Sequence, residues 1–208
     1  MTLEIFSAYI VATIILLAVP GPTVMLVVSY ALAQGRKSAA ASVAGVGVGD
    51  AVAAGASLMG LGAVLAASAT LFTVLKWVGA LYIIYLGVQM WRAKPHALET
   101  VETKTASSRK VFLHTFAVTA LNPKGIAFFV AFLPHFIVPE SPVVPQFFIL
   151  GTTFVVLGMV NAALYAHLAS SVRERVRKPS TLRTMNRLGG SVLVAAGIMT
   201  ATLRRAAG

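Results

Sequence analysis

The chain has no cysteine, only 6 acidic side chains, and few charges of either sign: 11% of its 208 residues. Without cysteine, neither a disulfide framework nor a thiolate metal site can form. A soluble domain carries roughly 25% charged residues, and the chain has no polar stretch long enough to make a separate soluble domain. Catalytic signatures are missing too. There is no HExxH pair, no GxSxG elbow and no phosphate-binding glycine loop. Gly45-Val46-Gly47-Val48-Gly49 is rich in glycine, but it lies inside an apolar run and no lysine follows it. His114, His135 and His167 stand apart, without metal-ligand spacing, and fit packing or interface roles. No nucleophile is paired with a His or Asp. These absences argue against an enzyme, a resident metal, a cofactor and ATP hydrolysis.

What the chain does have is apolar surface. Hydrophobic residues make up 58% and the mean hydropathy is +0.85. One soluble domain of this size cannot hide that much, so the bilayer is the solvent that accepts it. A membrane-spanning helix needs about 20 apolar residues. Apolar runs cover about 5–33, 39–66, 71–91, 111–134, 143–171 and 188–203. The first is a poor signal peptide, because Glu4 precedes it and the apolar stretch continues past Pro22 to Ala33. A cleavable signal has a basic start and a short apolar core, so this run reads as a retained helix.

The net charge is +11, from 17 Lys and Arg against 6 Asp and Glu. In a soluble protein that would suggest nucleic acid. Here no nucleic acid is expected, because the basic residues fall between apolar runs as in cytoplasmic loops. Of the 17, 13 lie in three breaks: Arg36 and Lys37; Arg92, Lys94, Lys104, Arg109 and Lys110; and the basic loop Arg173 to Arg187. Placing these breaks in the cytoplasm predicts both termini outside. Arg204 and Arg205 are the exception, and they can anchor the last helix at the headgroups.

The two halves look alike. Each has three apolar runs, and in each the first run is interrupted by a proline motif: Pro20-Gly21-Pro22, and Asn122-Pro123-Lys124. Three is odd, so the second half must enter the membrane from the opposite side. The expectation is an all-α integral membrane protein of six transmembrane helices, built as two inverted three-helix repeats with broken first and fourth helices. It forms a single domain over 1–208, with repeat one at about 1–91, a cytoplasmic linker at 92–110 and repeat two at about 111–208.

Several residues could carry chemistry. Proline lacks a backbone donor and clashes with the preceding turn, so each motif frees carbonyls and amides that are costly in hydrocarbon. A substrate or ion could satisfy them, or neighbouring helices could. Asp50 is the only acid inside a run. Buried ionisable groups usually face a pathway or a partner, so it could accept a substrate ammonium or carry a proton. The row Ala41, Gly45, Gly49, Ala53, Ser57 beside it is a small-residue packing stripe. Lys124 could meet a substrate carboxylate or Asp50, or could snorkel to the interface. Asn161 could line the same cavity or bond helix to helix. Lys76, near the start of its run, reads as a snorkelling lysine.

The ordered motifs resemble those of the LysE/RhtB family of bacterial amino-acid exporters over nearly the whole chain. They are Pro20-Gly21-Pro22, Gln34-Gly35-Arg36, Gly49-Asp50, Leu75-Lys76-Trp77-Val78-Gly79-Ala80-Leu81-Tyr82, Tyr85-Leu86-Gly87, Asn122-Pro123-Lys124 and Leu133-Pro134. The resemblance implies a multi-pass exporter of amino acids or their derivatives in the bacterial cytoplasmic (inner) membrane, driven by the proton gradient, and it is compatible with a homodimer. It raises Lys76 to a candidate site residue. Two positions depart from the family pattern. Thr23 stands where Asn usually follows the Pro-Gly-Pro motif, and His135 stands where Gln is common. Thr23 keeps a hydroxyl but loses the amide, which bears on substrate preference. The alternative is a passive channel, or a carrier for another small solute such as a metal cation. A lone in-span acid argues against the metal.

Overall fold

A computed structural model describes residues 1–93, 106–138, 141–169 and 179–202. Every regular element among them is helical: α1 (Leu3–Ala18), α2 (Pro22–Gln34), α3 (Arg36–Ala67), α4 (Ala69–Arg92), α5 (Ser108–Ala120), α6 (Pro123–Ala127), α7 (Val143–His167) and α8 (Pro179–Thr202). α6 continues as a π turn, Phe128–Phe132, and a 3-10 turn, Leu133–Phe136. Pro134 has no amide to donate one α-turn back, so the α ladder cannot continue there.

Local chemistry sets the ends. Thr2, Ser68, Ser107 and Asn122 each accept a backbone N–H at the start of a helix, which satisfies a donor left over in the first turn. Pro22 and Pro123 occupy the first positions of α2 and α6, where a missing N–H costs nothing. Gly35 turns α2 into α3 with φ of 73°, a left-handed conformation that glycine adopts without strain.

Among the described residues, three helices, or four if the bent pair α1–α2 is one span, are long and apolar enough to cross a membrane. α4 and α8 fall outside that count but have 24 residues each, about 36 Å at 1.5 Å per residue. That exceeds the roughly 30 Å of hydrocarbon in a bilayer. The chain is a multi-pass membrane protein.

Two boundaries differ from the sequence reading. The basic loop expected to run from Arg173 to Arg187 is shorter, because α8 already starts at Pro179. Arg183 and Arg187 are therefore helical. The Arg187 guanidinium stands over the Trp91 ring, 5.0 Å from its centroid, a cation–π contact that fixes this polar turn against α4. The remainder of that loop, 173–178, lies outside the described residues. α5 starts at Ser108, three residues before its apolar run, which shortens the linker predicted at 92–110. Most of that linker, 94–105, is also outside the described residues.

The small-residue stripe packs α3 on α5. A Cβ at Gly45 would lie 2.7 Å from the Phe112 carbonyl oxygen, and one at Gly49 2.9 Å from that of Phe116. The backbones touch, as small-xxx-small rows allow. α4 and α8 approach in the same way at Gly87, where a Cβ would meet the Gly190 carbonyl at 2.7 Å. The main core gathers Tyr9, Leu61, Phe128, Phe129, Leu133, Leu150 and Phe154 from α1, α3, α7 and the π and 3-10 turns. Tyr9 donates its hydroxyl to the Leu150 carbonyl at 2.9 Å, so the one polar atom of that side chain is satisfied.

Candidate functional site

Both proline motifs interrupt a helix. α1 and α2 meet at 57° across Val19 to Gly21. α5 and α6 are separated by Leu121 and Asn122. The two interruptions lie against each other. Asn122 Nδ2 donates to Thr23 Oγ1 at 3.1 Å, and Thr119 Oγ1 reaches the same oxygen at 3.4 Å. Thr23 is in the first turn of α2 and Asn122 caps α6, so one short chain of hydrogen bonds joins the starts of both half-helices.

The carbonyls freed at the end of α1 do not wait for a substrate. Lys124 Nζ donates to Leu16 O at 2.6 Å and to Val19 O at 2.7 Å. Tyr165 donates its hydroxyl to Ala18 O at 2.8 Å. A helix C-terminus carries unpaired acceptors and partial negative charge. An ammonium with three donors suits it, and such charge-assisted bonds are short and strong. Of the two readings left open by the sequence, neighbouring helices fill the freed acceptors at this break. The lysine neither snorkels to the interface nor pairs with Asp50. It clasps the first break from the second.

Asp50 sits on α3 with 8% of its surface exposed and has no hydrogen-bond or ion-pair partner among the described residues. Its carboxylate packs against the bare backbone of α7 at Gly158, where a Cβ would come within 2.5 Å of Oδ2. Gly158 makes room for the acid. An unpaired acid buried in an apolar helix is expensive.

A cavity of about 50 Å³ joins these parts. Gly21, Thr23, Asp50, Asn122, Lys124 and Asn161 all line it, with Leu16, Val19, Phe154 and Gly158. Six of the ten residues singled out from sequence therefore share one space. Pro20, Pro22 and Pro123 shape the breaks beside it. Lys76 belongs to α4, and its side chain lies outside the described residues. Sequence reading missed Tyr165 and Gly158. Their signal is helical spacing, since Phe154, Gly158, Asn161 and Tyr165 recur every three or four residues and share a face of α7.

Residues 14–203 match the family described as LysE type translocator. The chain belongs to that family. Similar proteins include the homoserine/homoserine lactone efflux protein of Salmonella typhi, 33% identical over 206 residues, covering 99% of this chain and 100% of the relative. An uncharacterized membrane protein of Vibrio cholerae is 30% identical over 204 residues, covering 98% and 100%. The leucine efflux protein of Klebsiella pneumoniae is 29% identical over 203 residues, covering 96% and 95%. No solved structure matches. As a LysE translocator, the chain is a transporter with a small-molecule substrate, not an enzyme, and its efflux relatives support export.

Proposed function

We propose that this LysE translocator exports amino acids or amino-acid derivatives across the bacterial inner membrane by proton antiport. The carrying observation is the shared cavity at the two breaks. It places a buried acid, a lysine and two carboxamides around one small polar space. A zwitterion needs that set. Asp50 takes the ammonium. The carboxylate meets Lys124 and the start of α2, where helix amides leave partial positive charge. Asn122, Asn161 and Thr23 complete the hydrogen bonding.

The cavity as it stands is too small for an amino acid. At about 50 Å³ it has room for a few waters, each needing roughly 10–15 Å³, whereas ligand pockets run to about 300 Å³ and above. Loading therefore requires the half-helices to part, and alternating access follows when they part to one side or the other. Neighbour relations support the inverted repeat. α3 pairs with α7 and α4 with α8, while α3 packs on α5 as α7 packs on α1 and α2. A two-fold axis in the membrane plane would produce this pattern. With six spans, the distribution of Lys and Arg puts both termini outside.

Asp50 carries the coupling proton in this reading. Each proton moving inward contributes about 2.3 kcal/mol per 100 mV of potential. The test is counterflow and proton-driven efflux in proteoliposomes. Preloaded homoserine or leucine should accelerate uptake of the same labelled amino acid, and a pH gradient should drive accumulation. Asp50→Asn should abolish the response to the gradient. Undiminished, still gradient-driven transport by the variant would remove Asp50 from that role.

A further inference from the structure

Beside the small polar cavity lies a much larger one, a groove of about 890 Å³ between α1, α4, α8 and the π turn that follows α6. The two spaces share a wall, because Leu16 and Lys124 line both. The groove is otherwise apolar, with Ile15, Trp77, Phe132 and Val192 among its sides, and Ser7 and His135 as polar exceptions. Polar and apolar volume are thus split across the lysine that clasps the end of α1.

We infer that the groove is a side-chain subsite, which takes the apolar substituent of an amino acid whose carboxylate is held at Lys124. The inference rests on the exporter reading and adds a substrate class to it: α-amino acids with an apolar side chain longer than that of leucine. Three observations point to this occupant. The polar cavity, at about 50 Å³, is built around a zwitterionic head and leaves no room for a long side chain, which must lie elsewhere. The groove is the adjoining space, and its size falls within the roughly 300–1,000 Å³ of ligand pockets. Lys124 lines it, and its ammonium has a third N–H beyond the two given to α1, which complements a carboxylate head and leaves the tail among apolar walls. A lipid acyl chain would match the walls but brings no carboxylate to the lysine.

Trp77 lines the groove, and the chain has only one other tryptophan, Trp91. Trp91→Phe therefore leaves Trp77 as a single fluorescent reporter. In liposomes, 2-aminooctanoate should shift Trp77 emission saturably and homoserine should not. Ala12 borders the groove and is only partly buried, so Ala12→Phe fills the space at little cost to folding. It should weaken 2-aminooctanoate counterflow about tenfold or more, the scale on which apolar pockets discriminate, while homoserine counterflow stays unchanged. An unresponsive Trp77, or equal loss of both substrates in Ala12→Phe, with wild-type homoserine counterflow intact, would overturn the subsite and leave the exporter standing. Quenching of Trp77 by lipids brominated in their acyl chains, unrelieved by 2-aminooctanoate, would assign the groove to lipid and likewise overturn it. If the wild type exchanges neither amino acid, the exporter reading itself fails and the subsite falls with it.

Discussion

Lys124 Nζ lies 2.6 Å from the carbonyl oxygen of Leu16, 108 residues away in the chain. A side chain from the second proline motif thereby closes the helix end exposed by the first. The two breaks are one structural unit, and a change at either is felt at both.

Lys124→Met keeps the length of the side chain and removes the ammonium. Leu16 O keeps only the long bond from Val19 N–H at 3.4 Å, and Val19 O loses its lysine donor, at about 1–3 kcal/mol for an unsatisfied buried group. The variant should melt several degrees lower in detergent and should lose most transport. Scanning fluorimetry alongside counterflow checks both. Wild-type melting with wild-type transport would show that the clasp contributes nothing.

Gly158→Ala is the smallest change that touches Asp50. The added Cβ would stand 2.5 Å from Oδ2, so the carboxylate must swing into the cavity. Overpacking of this kind costs about 1–3 kcal/mol. Stability should fall within that range, and transport should drop at least tenfold, a larger effect than the melting shift explains. Measuring kcat and KM for efflux separates the two, with the loss expected mainly in KM.

Gly49→Val tests the packing stripe rather than the site. Its Cβ would meet Thr119 Cβ at 2.7 Å and the Phe116 carbonyl at 2.9 Å, both on α5 and unable to move aside. The variant should fail to accumulate as folded protein. Ala at position 41 of the same row, changed to Ser, should be tolerated. Size-exclusion profiles after membrane extraction report both.

Much of this arrangement was legible in the residues themselves. The helix interruptions follow from proline chemistry, and the place of Asp50 inside an apolar helix follows from counting along its run. The helical start of α8 was not legible, because Arg183 and Arg187 look like loop residues until Trp91 is seen beneath Arg187. Nor was the clasp. Nothing in Asn122-Pro123-Lys124 says that its lysine will bond to carbonyls of α1, since that contact depends on how two distant segments dock. Tyr165 was missed for the same reason: its partner, the Ala18 carbonyl, exists only once α1 has been cut short.

Thr23 and Asn122 line the proposed substrate cavity, so changing them should alter preference. Thr23→Asn puts an amide where the hydroxyl now accepts from Asn122 Nδ2 at 3.1 Å, and the amide can donate as well as accept. Transport should survive with an altered ranking of substrates, which competition by a panel of unlabelled amino acids would show. An unchanged ranking would place Thr23 outside substrate contact.

The absence of cysteine gives the most direct test. Asn161→Cys puts the chain's sole thiol on the wall of the cavity shared by Asp50 and Lys124. A methanethiosulfonate reagent should label it in membranes, and a transported amino acid should slow that labelling in a saturable way, at concentrations matching its KM for transport. Labelling whose rate ignores the amino acid, in a variant that still exports it, would contradict the placement of the substrate between the two breaks.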